Sequence, residues 1–249
     1  MPTTCSVHHC PPWTDTRPGD ADHARYPGTG PRAHADGVVD LLTSWRESLP
    51  AAAPAELAAR VGADLLRRWR EPHRHYHTAD HLAVVLAVVD EHASHAADAD
   101  AVRLAAWYHD AVYDPHRVDN EEASALLAET ALPGLGVPPD RVAEVARLVR
   151  LTASHDPAPG DRNGELLTDA DLAVLAGPHE SYLAYTAAVR REYAHVSEPQ
   201  FAAGRTGVLH NLLCLPSLFH VPALRDRWED LARSNLTREL TTLRTVPTH

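Results

Sequence analysis

Val102-Arg103-Leu104-Ala105-Ala106-Trp107-Tyr108-His109-Asp110-Ala111-Val112 is the stretch that decides how this chain is read. It is almost wholly apolar until His109 and Asp110 break it, which predicts a central helix over 102–112. An aspartate inside such a helix is costly to bury unless it is paired or coordinates a cation. The pair marks either the place where the helix ends in water or a site that needs charge.

Helical spacing extends outward in both directions. Residues 78–97 read as a long helix with Thr78 as its N-cap and Leu82, Val85, Leu86 and Val89 buried. Before it, Leu57, Val61, Leu65, Leu66 and Trp69 form a stripe over 54–69 that Pro72 stops. Val38, Leu41, Leu42 and Trp45 form another, ended by Pro50. After the central run, Asp119 is placed to cap a helix over 120–131, and 139–154 carries a further apolar stripe. A polar loop is expected over 155–164, then helices over 179–195, 198–214 and 222–244. Strand signals are nearly absent, so the expected class is all-α. Residues 1–35, crowded with Pro, Gly, Asp and His, read as a disordered tail, and 36–249 as a single helical domain. Cys5, His8, His9 and Cys10 in that tail match no established zinc spacing.

A net charge of -11 argues against a nucleic-acid polymer as partner, because phosphate backbones are held by basic patches. A small phosphate ester stays open. No lysine occurs, which removes P-loop, Schiff-base and kinase-lysine chemistry. Three scattered cysteines give no disulfide framework. With neither a secretory signal nor an apolar run of membrane-crossing length, the expectation is a cytoplasmic protein without a membrane partner.

Two further segments carry chemistry. Arg74-His75-Tyr76-His77-Thr78-Ala79-Asp80-His81 sets His77 and His81 four residues apart, on one face if the segment is helical, with Arg74 on the same face. Leu167-Thr168-Asp169-Ala170-Asp171-Leu172-Ala173 holds two carboxylates in an apolar stretch. On a regular helix, residues two apart diverge by roughly 200°, so only one of them can face a given site.

Taken together, the three segments resemble the HD superfamily of metal-dependent phosphohydrolases, whose pattern is His…His-Asp…Asp. Arg74-x-x-His77-Thr78 is similar to its first motif and Asp171-Leu172 to its last. A finer resemblance is to a subgroup of uncharacterised bacterial predicted HD phosphohydrolases. It is carried by Arg74-x-Tyr76-His77-x-x-x-His81-Leu82, Tyr108-His109-Asp110-x-Val112-Tyr113-Asp114, Asn120-Glu121-x-x-Ser124-Ala125, Asp169-Ala170-Asp171-Leu172-Ala173 and Trp228-Glu229…Ala232-Arg233…Asn235-Leu236. It spans roughly residues 37–243 and implies an HD-domain-like helical bundle.

The resemblance implies His77, His109, Asp110 and Asp171 as ligands of a divalent metal ion, with His81 the rival of His77 and Asp169 the rival of Asp171. Two imidazoles and two carboxylates suit Mn, Fe, Co, Ni, Zn or Mg. Nucleotide-hydrolysing relatives place an acidic pair three and four residues after the His-Asp; here those positions are Tyr113 and Asp114. Asp114 and Glu121 are the candidates to take a proton from a metal-activated water. Arg74 and Arg117 are the candidates to clamp phosphate. His155 reads as a cap for the end of its helix in preference to a pocket residue. The expected activity is hydrolysis of a nucleotide or another small phosphorylated metabolite. The alternatives are a non-catalytic metal or nucleotide sensor and an HD-fold di-iron oxygenase. The latter is poorly supplied, since only His116 and His155 lie between Asp110 and Asp171.

Overall fold

Leu104, Ala105, Ala106, Trp107 and Tyr108 are all fully buried, on a helix (α4, Ala99–Tyr108) with neighbours on every side. The computed structural model describes residues 41–245. The tail assigned to 1–35, its Cys/His group and the start of the domain at residue 36 lie outside the described residues. Ten α-helices and three short 3-10 turns make up the regular structure, with no strand among the described residues. The all-α expectation holds. No helix of the described residues is long and apolar enough to cross a membrane.

The small side chains of Ala101, Ala105 and Ala106 let neighbouring helices close on α4. Those neighbours are α3 (Ala79–Glu91), α6 (Pro139–Leu151), α7 (Arg162–Asp171) and, less extensively, α5 (Asn120–Ala131). Helix α2 (Ala55–Arg68) pairs with α1 (Leu41–Glu47), and Trp45 donates its indole N–H to the Ala58 carbonyl at 2.8 Å. Helices α8 (His179–Glu192) and α10 (Pro222–Thr245) pack on the 3-10 turn that follows α7, and α9 (Glu198–Cys214) lies against α10. One apolar core joins Trp45 to Leu236. Each fully buried Leu or Val in it stabilises by about 1.5–3 kcal/mol before conformational entropy is charged.

Three boundaries differ from the sequence expectation. Helix α4 stops at Tyr108 instead of running to 112, where its own C-cap side chain and one from α2's end take the carbonyls of the last turn. His109 Nδ1 bonds Ala106 O at 2.8 Å, and Trp69 Nε1 donates to Trp107 O at 3.0 Å. Helix α3 ends at Glu91, and a 3-10 turn over Ala93–His95 leads to Asn163, whose Oδ1 accepts from Ala97 N and Asp98 N at 2.9 Å each. Helix α7 begins inside the stretch read as a polar loop. Asp161 caps it by accepting from Gly164 N at 3.0 Å, and only glycine fits at 164 without shifting its neighbours. A Cβ at 164 would run into the Asp161 carboxylate and come within 2.7 Å of Leu151. The glycine that suggests a loop is what lets this helix start against α6.

Candidate metal centre

The end of α4, the first turn of α3 and the last residue of α7 meet at one point. His81 Nε2 lies 3.0 Å from Asp171 Oδ1 and 3.3 Å from His109 Nε2. His109 Nε2 is 3.5 Å from the same Asp171 oxygen and 3.3 Å from Asp110 Oδ2. His81, His109 and Asp171 are the group of the described residues whose donor atoms sit close enough to share an ion. Around a cation bonded at about 2.0–2.1 Å, neighbouring donors stand roughly 3.0 Å apart in an octahedron and 3.4 Å in a tetrahedron. The observed separations fall on those edges, so the donor set fits a divalent ion.

Electrostatics point the same way. Burial opposes charge on His109, yet the carboxylates of Asp110 and Asp171 outweigh it and raise the imidazole well above its ordinary pKa. Burial would likewise raise Asp110 and Asp171, but the histidines beside them hold both below the usual carboxylate range. Two half-buried carboxylates at one point need positive charge beside them, from an imidazolium or a cation. The Nδ1 bond to Ala106 O fixes the His109 ring and leaves Nε2 facing the cluster, as ligand imidazoles are commonly oriented.

His77 stands on the rim. It belongs to the turn before α3 rather than to the helix, so His77 and His81 do not share a helical face as their spacing suggested. Thr78 occupies the N-cap position without a capping side-chain bond. The His77 ring bonds Glu192 Oε2 through Nδ1 at 2.7 Å, and it lines a cavity of about 280 Å³ together with Asp110, Arg117, Glu121, His155 and Asp171. His81 lines a second, less polar cavity of about 380 Å³ that reaches Asp171 from the other side.

The remaining expected site residues divide. Asp169 is not brought to the cluster. It is fully buried on the opposite side of α7 and accepts from His220 N at 2.8 Å, from Val221 N at 2.8 Å and from the His220 ring at 3.2 Å. Two-residue spacing on a regular helix forces that divergence. Arg74 does not face the cavity: its buried guanidinium donates to Glu71, to His77 O at 3.2 Å and to Asp110 O at 2.8 Å, tying the 77 and 110 segments together. Asp114 turns back on its own loop, accepting from His116 N at 2.9 Å, and faces a neighbouring cavity. Glu121 lines the cavity beside the cluster, whereas Arg117 at its edge is paired with Asp119 at 2.9 Å. His155 does not cap its helix through its ring: Nε2 reaches Asp171 Oδ2 at 2.7 Å.

Glu192 has no counterpart in the sequence reading. It ends α8 after Arg190-Arg191, where a charged run suggests a solvated face, and no local signal marks it. Its side chain is nonetheless completely buried against His77.

The chain matches no family model, and no curated protein or solved structure matches it significantly.

Proposed function

We propose that this chain is a metal-dependent hydrolase of small phosphate esters, of the HD superfamily type. The observation that carries the reading is the convergence of His81, His109 and Asp171, with Asp110 3.3 Å from His109, at the edge of an open polar cavity that His77 also lines. The resemblance of Arg74-x-x-His77, His109-Asp110 and Asp171 to the superfamily's motifs supplies the reaction class.

His109, Asp110 and Asp171 would hold the ion, joined by His81 or His77. A bound divalent cation supplies Lewis acidity, polarising a phosphoryl oxygen and lowering the pKa of water. The protein's own groups do the rest. Glu121, facing the cavity, accepts a proton from water at its carboxylate. His155 steadies Asp171 from behind, and Arg74 keeps the 77 and 110 segments in register. In support of one ion over two, His116 packs its ring against His195, 3.8 Å between ring centroids.

The test is phosphate release from a panel of phosphomonoesters and nucleotides with Mn, Co or Ni, run beside His109→Ala and Asp110→Ala. Turnover by the wild type that either substitution lowers by about 100-fold or more supports the reading. Identical rates in all three proteins sink it, and tight nucleotide binding without release points to a sensor instead.

A further inference from the structure

Glu192 places four of its five hydrogen bonds on one short segment, residues 75–77. Oε1 accepts from three consecutive backbone N–H groups, His75 at 2.7 Å, Tyr76 at 2.7 Å and His77 at 3.1 Å. Oε2 meets His77 Nδ1 at 2.7 Å and accepts from Tyr113 OH at 2.8 Å. The carboxylate is fully buried, so these contacts are its whole environment of polar partners. The acid is delivered by α8 from far along the chain, and unlike the backbone bonds, which only hold the loop, its contact with Nδ1 acts on the imidazole itself.

We infer that Glu192 is a positioning residue that sets the tautomer of His77 and so presents His77 Nε2 to the cation. An acceptor at Nδ1 keeps the proton there, leaving the Nε2 lone pair for the cavity that holds Asp110 and Asp171. Glu192 thus stands behind His77 as a carboxylate recruited from across the fold, and Tyr113 serves as its second donor. This rests on the metal-centre reading and adds His77 to it as an Nε2 ligand.

Glu192→Gln tests it sharply. The three backbone N–H groups hold the amide oxygen at the Oε1 position, which turns the amide nitrogen toward His77. A donor now faces Nδ1, the imidazole proton moves to Nε2, and the ligand lone pair is lost. In the full-length protein stripped of metal, at a pH where imidazoles are neutral, ¹⁵N NMR of the His77 ring is expected to report the Nδ1–H tautomer in wild type and Nε2–H in Glu192→Gln. Titration with Co is expected to show affinity lowered by about 10–100-fold in Glu192→Gln, with helical content retained. His77→Ala is expected to remove the effect: in that background Glu192→Gln changes affinity little, because both act on one bond. An Nε2–H tautomer in wild type, or full additivity of the two substitutions, overturns the inference. Wild-type protein that binds no Co, with the tautomer as expected, instead removes the metal centre and leaves Glu192 as a structural clamp. Should Glu192→Gln fail to fold, the wild-type tautomer and the Co affinity of Tyr113→Phe, expected within about threefold of wild type, carry the decision.

Discussion

His155 reaches Asp171 from a backbone conformation that few non-glycine residues adopt. Its φ is 52°, the one positive value outside glycine among the described residues, and its Nε2 sits 2.7 Å from Asp171 Oδ2. A left-handed non-glycine residue costs about 1–2 kcal/mol, and such strain persists where the surroundings fix it. His155→Gly is therefore expected to exceed His155→Ala in stability by about 1 kcal/mol, since both lose the ring and only glycine loses the strain. Both are expected to bind Co more weakly than wild type. Denaturant unfolding of the metal-free proteins, with a Co titration of each, checks this; equal stability of the two variants would show that the backbone stores nothing here.

Asp169 and Asp171 are expected to fail in opposite ways. Asp169→Ala strands the buried N–H groups of His220 and Val221, so it is expected to lose about 1–3 kcal/mol of stability and keep its cation affinity. Asp171→Asn removes the carboxylate that His81, His109 and His155 share, so Co affinity is expected to fall by at least about tenfold, whatever stability the lost ion pairs carried. Calorimetric unfolding paired with cation titration reads both. A stable Asp169→Ala that no longer binds Co would put the ligand on the wrong carboxylate.

The same pair shows how far sequence reasoning carries. Helical periodicity was enough for the bundle, and the 200° divergence was enough to say that only one of these two carboxylates serves the site. His109 and Asp110 were legible because charge in an apolar run needs an explanation. Which way each group turned was not, because that depends on elements distant in the chain. His220 and Val221 claim Asp169 across about fifty residues, and Glu192 reaches His77 across more than a hundred. Arg74 looked like a clamp from its place beside His77, yet it is committed to Glu71, the His77 carbonyl and the Asp110 carbonyl that the fold brings in. The start of α7 was hidden because Gly164 signals a loop locally and a close helix contact globally.

Acid should weaken the entry to α7 before it reaches the carboxylates beside His109. Asp161 caps that helix and pairs with Arg147 at 2.7 Å; burial opposes its charge, but the Arg147 bond and the Gly164 N–H leave its pKa below the usual carboxylate value. A folded-state pKa depressed below the unfolded one gives stability that is present above the unfolded value near 3.8 and lost as pH falls through the folded value. The stability gap between wild type and Asp161→Ala is expected to be about 1 kcal/mol near neutrality and to close as pH drops below the unfolded value. Unfolding curves across that range measure it, and a gap that widens in acid would contradict the assignment.

Charge also limits what the site can take. The polar cavity is lined by three acids, Asp110, Glu121 and Asp171, against one guanidinium, Arg117, which already pairs with Asp119. Arg74 is buried and committed, and the chain has no lysine to add. One divalent ion offsets the surplus of acid but little more. A phosphomonoester brings about two negative charges at neutral pH, and a triphosphate more, with nothing in the lining to meet them. The volume of about 280 Å³ is at the small end for a ligand site as well. With Mn in excess over substrate, kcat/KM for a compact phosphomonoester such as glycerol phosphate is expected to exceed that for ATP by about tenfold or more, a gap of about 1.4 kcal/mol in transition-state binding. Phosphate-release kinetics on both substrates decide it. A preference for ATP would mean that cationic groups enter the cavity when substrate binds, and the charge argument would fail.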